Sequence, residues 1–236
     1  MLEIENLSAG YFGSKVLHSI SLTAGEGTTL VAGANGAGKT TLIKSINGSL
    51  RPVNGSISLD GRKIDKMNPH SLALMGIATV PERGRVFGSM SVEDNLRVSF
   101  ESVKRNKVSY ENLVENVYEI FPDLKEKRND KAGTLSGGQQ QMLSIGRAII
   151  TSPKLLLMDE PTTGLFPRTV RELVSKISEI SQGMSILLTE QNLAETLFLA
   201  RKVYILESGK LVFSGTPDEI RGNRDLRNIY LGIGGN

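Results

Sequence analysis

Short apolar and β-branched runs along the chain alternate with stretches in which apolar residues recur at helical spacing. The short runs predict strands, because such residues fit the pleated surface of a sheet. The predicted strands cover residues 2–7, 16–22, 28–32, 56–60, 76–80, 155–160 and 185–189, and a hairpin covers 203–213. The helical spacing predicts helices over 42–46, 109–121 and 168–181, with further helix starts at 91, 135 and 216. The pattern therefore predicts an α/β protein.

The predicted helices are concentrated in the middle of the chain, over approximately residues 91–151, between two strand-rich parts. We interpret residues 1–236 as a single domain with this helical part inserted. Residues 8–13 predict a turn that carries Tyr11 and Phe12, and the polar segment 82–90 predicts a surface loop. Residues 231–236 predict a frayed tail.

A glycine-rich segment separates the predicted strand 28–32 from the predicted helix 42–46, and it matches G-x-x-x-x-G-K-[ST]. This pattern, between a strand and a helix, is typical of a phosphate-binding loop. Its backbone N–H groups and the helix N-terminus favour bound phosphate. We expect Lys39 to reach the β- and γ-phosphates and the Thr40 hydroxyl to ligate Mg²⁺. The predicted nucleotide-binding residues are Gly33, Ala34, Asn35, Gly36, Ala37, Gly38, Lys39, Thr40 and Thr41.

Two adjacent acids, Asp159 and Glu160, end the apolar run that begins at residue 155. A carboxylate at the end of a buried parallel strand is expected to lie beside the phosphate loop in this class of sheet. Asp159 is then predicted to hold Mg²⁺, and Glu160 to polarise a water for attack on the γ-phosphate.

A second glycine-containing segment, Leu-Ser-Gly-Gly-Gln over residues 135–139, opens a predicted helix. Ser136 and Gln139 fit a capping box. Each glycine costs up to about 1 kcal/mol in a helix. Gly137 and Gly138 therefore make most sense if a ligand phosphate approaches the backbone there. By position alone, Tyr11 either stacks on an adenine ring or covers a small hydrophobic cluster.

The composition of the chain limits which partners and cofactors are expected, and it adds nothing to the predicted fold. The net charge of +3, from 28 basic and 25 acidic residues, is too balanced to argue for nucleic acid. The chain has no cysteine, so neither a disulfide framework nor a thiolate metal site is expected. The N-terminus does not resemble a secretory signal, and no apolar run approaches the roughly 20 residues of a membrane span. If the protein works at a membrane, another chain is expected to provide the span.

The phosphate loop, the Leu-Ser-Gly-Gly-Gln segment and the apolar run into Asp159 and Glu160 together resemble the nucleotide-binding domain of ABC (ATP-binding cassette) proteins. The resemblance implies a RecA-like phosphate-loop NTPase core, a small antiparallel β part at the N-terminus and a helical subdomain carrying residues 135–139. It also implies a head-to-tail dimer. In such a dimer ATP and Mg²⁺ are bound between the phosphate loop of one subunit and the signature residues Ser136, Gly137, Gly138 and Gln139 of the other. Tyr11 then matches the adenine-stacking aromatic.

Residues 80–87, 90–96, 140–148 and 189–192 look more specifically like the second ATPase subunit of branched-chain amino-acid importers. Three positions depart from the wider ABC pattern. Glu82 stands where most ABC proteins have a glutamine, and this match implies a place for Glu82 beside the metal and the γ-phosphate. Gln191 replaces a switch histidine, and Phe166 replaces an aspartate. Glutamine cannot shuttle a proton as imidazole can, so these departures bear on how the γ-phosphate is sensed.

The resemblance implies an ATPase that energises an importer from the cytoplasmic side, bound peripherally to the inner face of the membrane. Its expected partners are a second cassette, transmembrane permease subunits contacted through loop 82–90 and, indirectly, a periplasmic or extracellular binding protein. Urea or short amides are the alternative cargo. A soluble ABC ATPase of DNA repair or translation is the main alternative class, although such proteins usually carry a long coiled-coil insertion or two fused cassettes. A non-hydrolysing nucleotide sensor is a third alternative, against which Glu160 argues.

Overall fold

A computed structural model describes residues 1–103 and 108–231. These residues form two β-sheets, which confirms the α/β class. The ten strands among them are β1 (Leu2–Tyr11), β2 (Ser14–Ala24), β3 (Gly27–Ala32), β4 (Asn54–Leu59), β5 (Arg62–Lys63), β6 (Ile77–Val80), β7 (Leu155–Asp159), β8 (Ser185–Glu190), β9 (Ala200–Glu207) and β10 (Lys210–Gly215).

Helices connect and cover these strands. Those described are α1 (Lys39–Ile46), α2 (Pro69–Met75), α3 (Val92–Glu101), α4 (Tyr110–Ile120), α5 (Pro122–Glu126), α6 (Gly137–Ile149), α7 (Pro167–Ile180), α8 (Pro217–Gly222) and α9 (Arg224–Leu231). Helices α3 to α6 fall within the predicted helical part. That this part is an inserted piece of one domain stays a prediction.

The first sheet has the order β2-β1-β4-β5, and its three pairings are antiparallel. It is the small antiparallel β part that the resemblance to ABC proteins implies at the N-terminus. Its apolar side chains share one cluster with those of α1, so this sheet covers the helix that follows the phosphate loop.

The second sheet has the order β10-β9-β3-β8-β7-β6, with β9, β3, β8, β7 and β6 parallel and β10 antiparallel at one edge. In this register Ala32 lies opposite Glu190, and Asp159 lies opposite Thr189. The carboxyl ends of β3, β8 and β7 therefore meet at one edge of the sheet, where ligands bind in open α/β sheets.

Two local predictions need correction, and some helices were missed. The turn predicted over 8–13 is shorter, because β1 continues through Tyr11 and pairs with β2 as far as Ser14. Glu160 lies just past β7, with a left-handed φ of 46°. Helices α2, α5 and α9 were not predicted as separate elements. The tail predicted over 231–236 lies, apart from its first residue, outside the described residues.

Candidate functional site

The turn between β3 and α1 has a backbone that requires glycine at Gly33 and Gly38. A Cβ atom at Gly33 would lie 2.3 Å from the carbonyl oxygen of Leu206. Gly38 has a left-handed φ of 110° and precedes α1 without a side-chain capping hydrogen bond. The first backbone N–H groups of α1 are therefore left for a ligand, and the cradle fits a phosphate group.

Lys39 is buried, with 3% of its surface exposed, although an ammonium group is costly to bury. Its Nζ donates to the carbonyl oxygens of Gly33 at 2.5 Å and Ala34 at 2.9 Å. It also lies 3.1 Å from Oε1 of Glu160, so the ammonium is held between the phosphate loop and a carboxylate. A triphosphate bound in the loop would meet this charge directly.

The two acids at the end of β7, Asp159 and Glu160, are both buried but make different hydrogen bonds. Asp159 accepts a 2.8 Å hydrogen bond at Oδ1 from the hydroxyl of Thr189. Glu160 accepts at Oε2 from the hydroxyl of Thr163 at 3.2 Å, and its backbone N–H donates to the Thr189 carbonyl at 3.0 Å. Although β8 separates β3 from β7, Glu160 still reaches Lys39.

The predicted Mg²⁺ ligands Thr40, Glu82 and Asp159 line one cleft of about 680 Å³ beside α1, together with Lys44 and Arg83. In the described parts of the chain, no group of three or more His, Cys, Asp or Glu residues could hold a metal ion unaided. Mg²⁺ is often bound by one or two carboxylates together with phosphate oxygens and waters, so the residues fit a metal that arrives with a nucleotide.

Gln191 does not line the cleft that Glu82 lines. It is exposed and lines a second cleft with Ala34, Asn35, Gly36 and Ala37. Tyr11, at the end of β1, is half-buried, and the Nζ of Lys44 lies 5.7 Å from its ring centroid. Tyr11 therefore lies beside α1, the helix that begins at the end of the phosphate loop.

The signature residues 136–139 do not line either cleft beside the phosphate loop. Ser136 and Gln139 form the predicted capping box at the start of α6. A Cβ at Gly138 would lie 2.4 Å from Cγ2 of Thr169, whereas nothing in the described chain lies within 4 Å of one at Gly137. Packing on α7 therefore explains Gly138 without a ligand, and only Gly137 is open to an approaching phosphate.

Sequence reasoning missed the residues that support the acids. Thr189 binds Asp159, and the buried carboxylate of Glu190 binds Thr162. The only sequence signal was that the apolar run of β8 ends in polar residues. It also missed Asn95 and Arg147, which hydrogen-bond to the backbone of the loop over 82–90.

A phosphate loop after a central parallel strand, facing carboxylates at the end of a nearby strand, is the arrangement of phosphate-loop nucleoside triphosphatases. Residues 17–163 match the family model described as ABC transporter. The chain belongs to this family and is an ATPase, which confirms the family resemblance and the expected core. No described helix is both long and apolar enough to cross a membrane.

The chain is similar to the high-affinity branched-chain amino acid transport ATP-binding protein BraG of Pseudomonas aeruginosa, with 39% identity across 98% of this chain and 100% of the relative. It is also 31% identical to the lipopolysaccharide export system ATP-binding protein LptB of Haemophilus influenzae, across 98% of this chain and 97% of that one. A solved ATP-binding cassette of an ABC transporter in its ADP conformation superposes with a TM-score of 0.83, at 28% identity and over 98% of both chains.

Proposed function

We propose that the chain is the ATP-hydrolysing subunit of an importer whose cargo is a branched-chain amino acid. The observation that carries this proposal is the similarity to BraG along the whole chain. The test is uptake of labelled leucine, isoleucine and valine by cells that lack the chain. Uptake should fall and return with the restored gene, while urea uptake stays unchanged. Normal leucine uptake together with failed lipopolysaccharide export would assign the role of the LptB relatives instead.

In the proposed mechanism Lys39 binds the β- and γ-phosphates that the loop cradles. Thr40 and Asp159, with Glu82 nearby, would hold Mg²⁺, which neutralises charge on the phosphate oxygens. Glu160 acts as the general base for the attacking water. Gln191 contacts the γ-phosphate by hydrogen bonding alone, because its amide does not titrate.

The remaining nucleotide contacts are proposed in two places. Tyr11 stacks on the adenine ring, next to the ammonium of Lys44. The signature residues 136–139 serve the ATP of a second cassette. They line neither cleft beside the phosphate loop of their own chain, which supports this head-to-tail arrangement.

We propose that the loop over 82–90 contacts permease subunits in the membrane. A groove of about 510 Å³ opens beside it, between β6 and the helices α3 and α6. Apolar side chains lining the groove are Leu72, Ile77, Val86, Phe87, Val103 and Ala148. Phe87 is 44% exposed, and its ring is covered on one side by the guanidinium of Arg147 at 4.3 Å. Such a groove suits an amphipathic helix of a membrane partner.

Residues 88–90 of this loop are hydrogen-bonded to the segment that precedes the signature residues 136–139. The carbonyl oxygens of Gly88 and Met90 accept from the N–H groups of Gly133 and Ala132, at 3.0 and 2.9 Å. A partner that displaces Phe87 would therefore also move the chain leading into Ser136. This connection supports a role for the loop in transmitting a change between the nucleotide and the membrane.

Phe87→Ala should uncouple transport while leaving basal ATP hydrolysis close to normal, because the ring lies in the groove and not beside the phosphate loop. Labelled-leucine uptake should fall about tenfold or more, the effect of losing a central interface aromatic. Phe198→Ala is the matched control, since Phe198 is exposed but lies outside this groove. A crosslinking scan with no partner contact at any position from 82 to 90 would refute the assignment.

We further propose that the native ATPase is a pair of two different cassettes at the inner face of the membrane, fed by a periplasmic or extracellular binding protein. A homodimer would place Gln191 and Phe166 in both sites. Phe166 is the N-cap of α7, makes no capping hydrogen bond and is 83% exposed. An aspartate from a different cassette could supply the polar group that Phe166 lacks.

The purified chain should therefore be mostly monomeric with slow ATP turnover, and adding the second cassette should raise turnover well above the sum of the two. Mass measurement and phosphate release with MgATP would test this. The control is the same mixture in which this chain carries Glu160→Gln. A fully active homodimer that ignores the second cassette would contradict the pairing.

A further inference from the structure

The end of β8 lies next to the two acids at the end of β7 and supports them. Thr189 holds Asp159 through its hydroxyl, and Glu190 lies next along the strand with 2% of its surface exposed. The carbonyl oxygen of Glu190 accepts from the N–H of Gly33, the first residue of the phosphate loop, at 3.2 Å. Glu190 is thus joined to the phosphate loop and lies beside the acids, yet the proposed mechanism does not use it.

The Glu190 carboxylate is directed at the segment after Glu160. Its Oε1 accepts from both the hydroxyl of Thr162, at 2.9 Å, and the backbone N–H of Thr162, at 3.3 Å. The next residue, Thr163, donates its hydroxyl to Oε2 of Glu160. Two buried carboxylates therefore hold neighbouring residues of one short segment, Glu190 from β8 and Glu160 from the end of β7.

This carboxylate is costly for the fold. Among the ion pairs of the described residues Glu190 takes part in none, whereas Lys39 pairs with Glu160. Burial, together with the nearby charge of Glu160, raises the pKa of Glu190 from 4.5 to about 7, against the lowering effect of hydrogen bonds from Thr162. A buried charged group that destabilises the fold is a common feature of functional sites.

The sign of the stability effect follows from the raised pKa. The folded protein binds this proton more tightly than the unfolded chain, so the contribution of Glu190 to stability is largest below pH 4.5 and is lost as the pH rises to about 7. The charged groups at the neighbouring element ends are Asp159 and Glu160 at the end of β7, Lys39 at the start of α1 and Arg168 in α7. Removing the ionisable group should therefore leave the protein at least as heat-stable at pH 8.

We propose that Glu190 is a positioning residue for ATP hydrolysis, which holds Thr162 so that Thr163 orients the carboxylate of Glu160 toward the attacking water. The inference rests on the proposed role of Glu160. Glu190 touches neither phosphate nor water in this proposal and acts through the segment that it binds. Small misplacements of a catalytic group are enough to slow a reaction by about 10²-fold.

The test compares Glu190→Gln and Glu190→Ala with the unchanged chain, under saturating MgATP and with the second cassette present. Glutamine keeps one acceptor oxygen for Thr162 and alanine keeps none. We expect kcat to fall about 10-fold in Glu190→Gln and about 100-fold in Glu190→Ala, with KM for ATP changed less than about threefold, the range seen for residues that orient a catalytic group. The matched control is Glu195→Gln, an exposed acid a few residues further along the chain, which should behave as the unchanged chain.

The Tm at pH 8 distinguishes a positioning role of Glu190 in hydrolysis from a role in folding stability. The proposal predicts that Glu190→Gln loses activity while its Tm is equal or higher, whereas a purely structural role predicts that both fall together. Unchanged kcat in Glu190→Gln and Glu190→Ala, with Glu160→Gln inactive, would overturn this inference and leave the proposed function standing. Full hydrolysis by Glu160→Gln would overturn both this inference and the proposed role of Glu160 as the base.

Discussion

Replacing Glu160 by glutamine should lower ATP hydrolysis about 10²–10⁴-fold while ATP still binds. The side chain is buried, with Oε1 3.1 Å from the Lys39 ammonium and Oε2 bound to the Thr163 hydroxyl. Glutamine has the same size and keeps an acceptor for one of these groups, so the local structure should persist. Its amide cannot take a proton from water, and the reaction therefore loses its base. Single-turnover phosphate release and calorimetric ATP affinity measure the two properties separately.

Bound ATP should consequently persist in Glu160→Gln and hold two cassettes together for longer, which sedimentation with MgATP would detect. Glu172→Gln is the matched control, because Glu172 is an exposed acid on α7. It should release phosphate at the normal rate. Undiminished single-turnover release in Glu160→Gln would remove Glu160 from the role of base.

Strands β3, β7 and β8 of the second sheet were predictable because each is a short buried run with clear boundaries. The errors arose where tertiary pairing overrides local preference. Gly10 has low strand propensity, yet β1 runs through it because it pairs there with Lys15 of β2. Helix α2 had a local signal, since Asn68 caps it and Pro69 is its first residue, but the segment is only seven residues long.

The site was predictable as far as its geometry is local. The phosphate loop lies in one continuous segment, and its lysine and threonine follow from the motif. The support for the acids is not local, because it depends on β8 lying between β3 and β7. No pattern in the sequence indicates that Glu190 meets Thr162 or that Thr189 meets Asp159.

Gly138 shows how a motif can mislead about cause. From the sequence alone, both Gly137 and Gly138 are explained by an approaching phosphate. In the structure Gly138 has an internal packing reason of its own, since a Cβ there would lie 2.4 Å from the Cγ2 methyl of Thr169, which would have to shift. That contact also ties the signature turn to α7, the helix that follows the segment after Glu160. Substitution of Gly138 would thus disturb two elements and cannot by itself test phosphate binding.

Lys39→Ala should abolish tight binding of MgATP. The ammonium is the buried cation of the loop, and its removal leaves phosphate charge uncompensated at a cost on the order of 2–5 kcal/mol. This corresponds to a loss of roughly 30- to 4,000-fold in affinity. The structure indicates a second cause that should lower the affinity for MgATP further. Lys39 also neutralises Glu160, so in the variant a buried carboxylate without its partner would face the incoming triphosphate.

Calorimetry with MgATP measures the loss in Lys39→Ala, and a melting curve checks that the variant is folded before affinities are compared. Lys210→Ala is the control, because it removes an exposed lysine of β10 and the same unit of net charge. The double variant Lys39→Ala with Glu160→Gln separates the two penalties. It removes the unpaired carboxylate and should regain part of the affinity, but not the part that depends on the ammonium itself. Near-normal ATP affinity in a folded Lys39→Ala protein would contradict the assignment of the phosphate loop, because no other buried ammonium among the described residues lies at this turn.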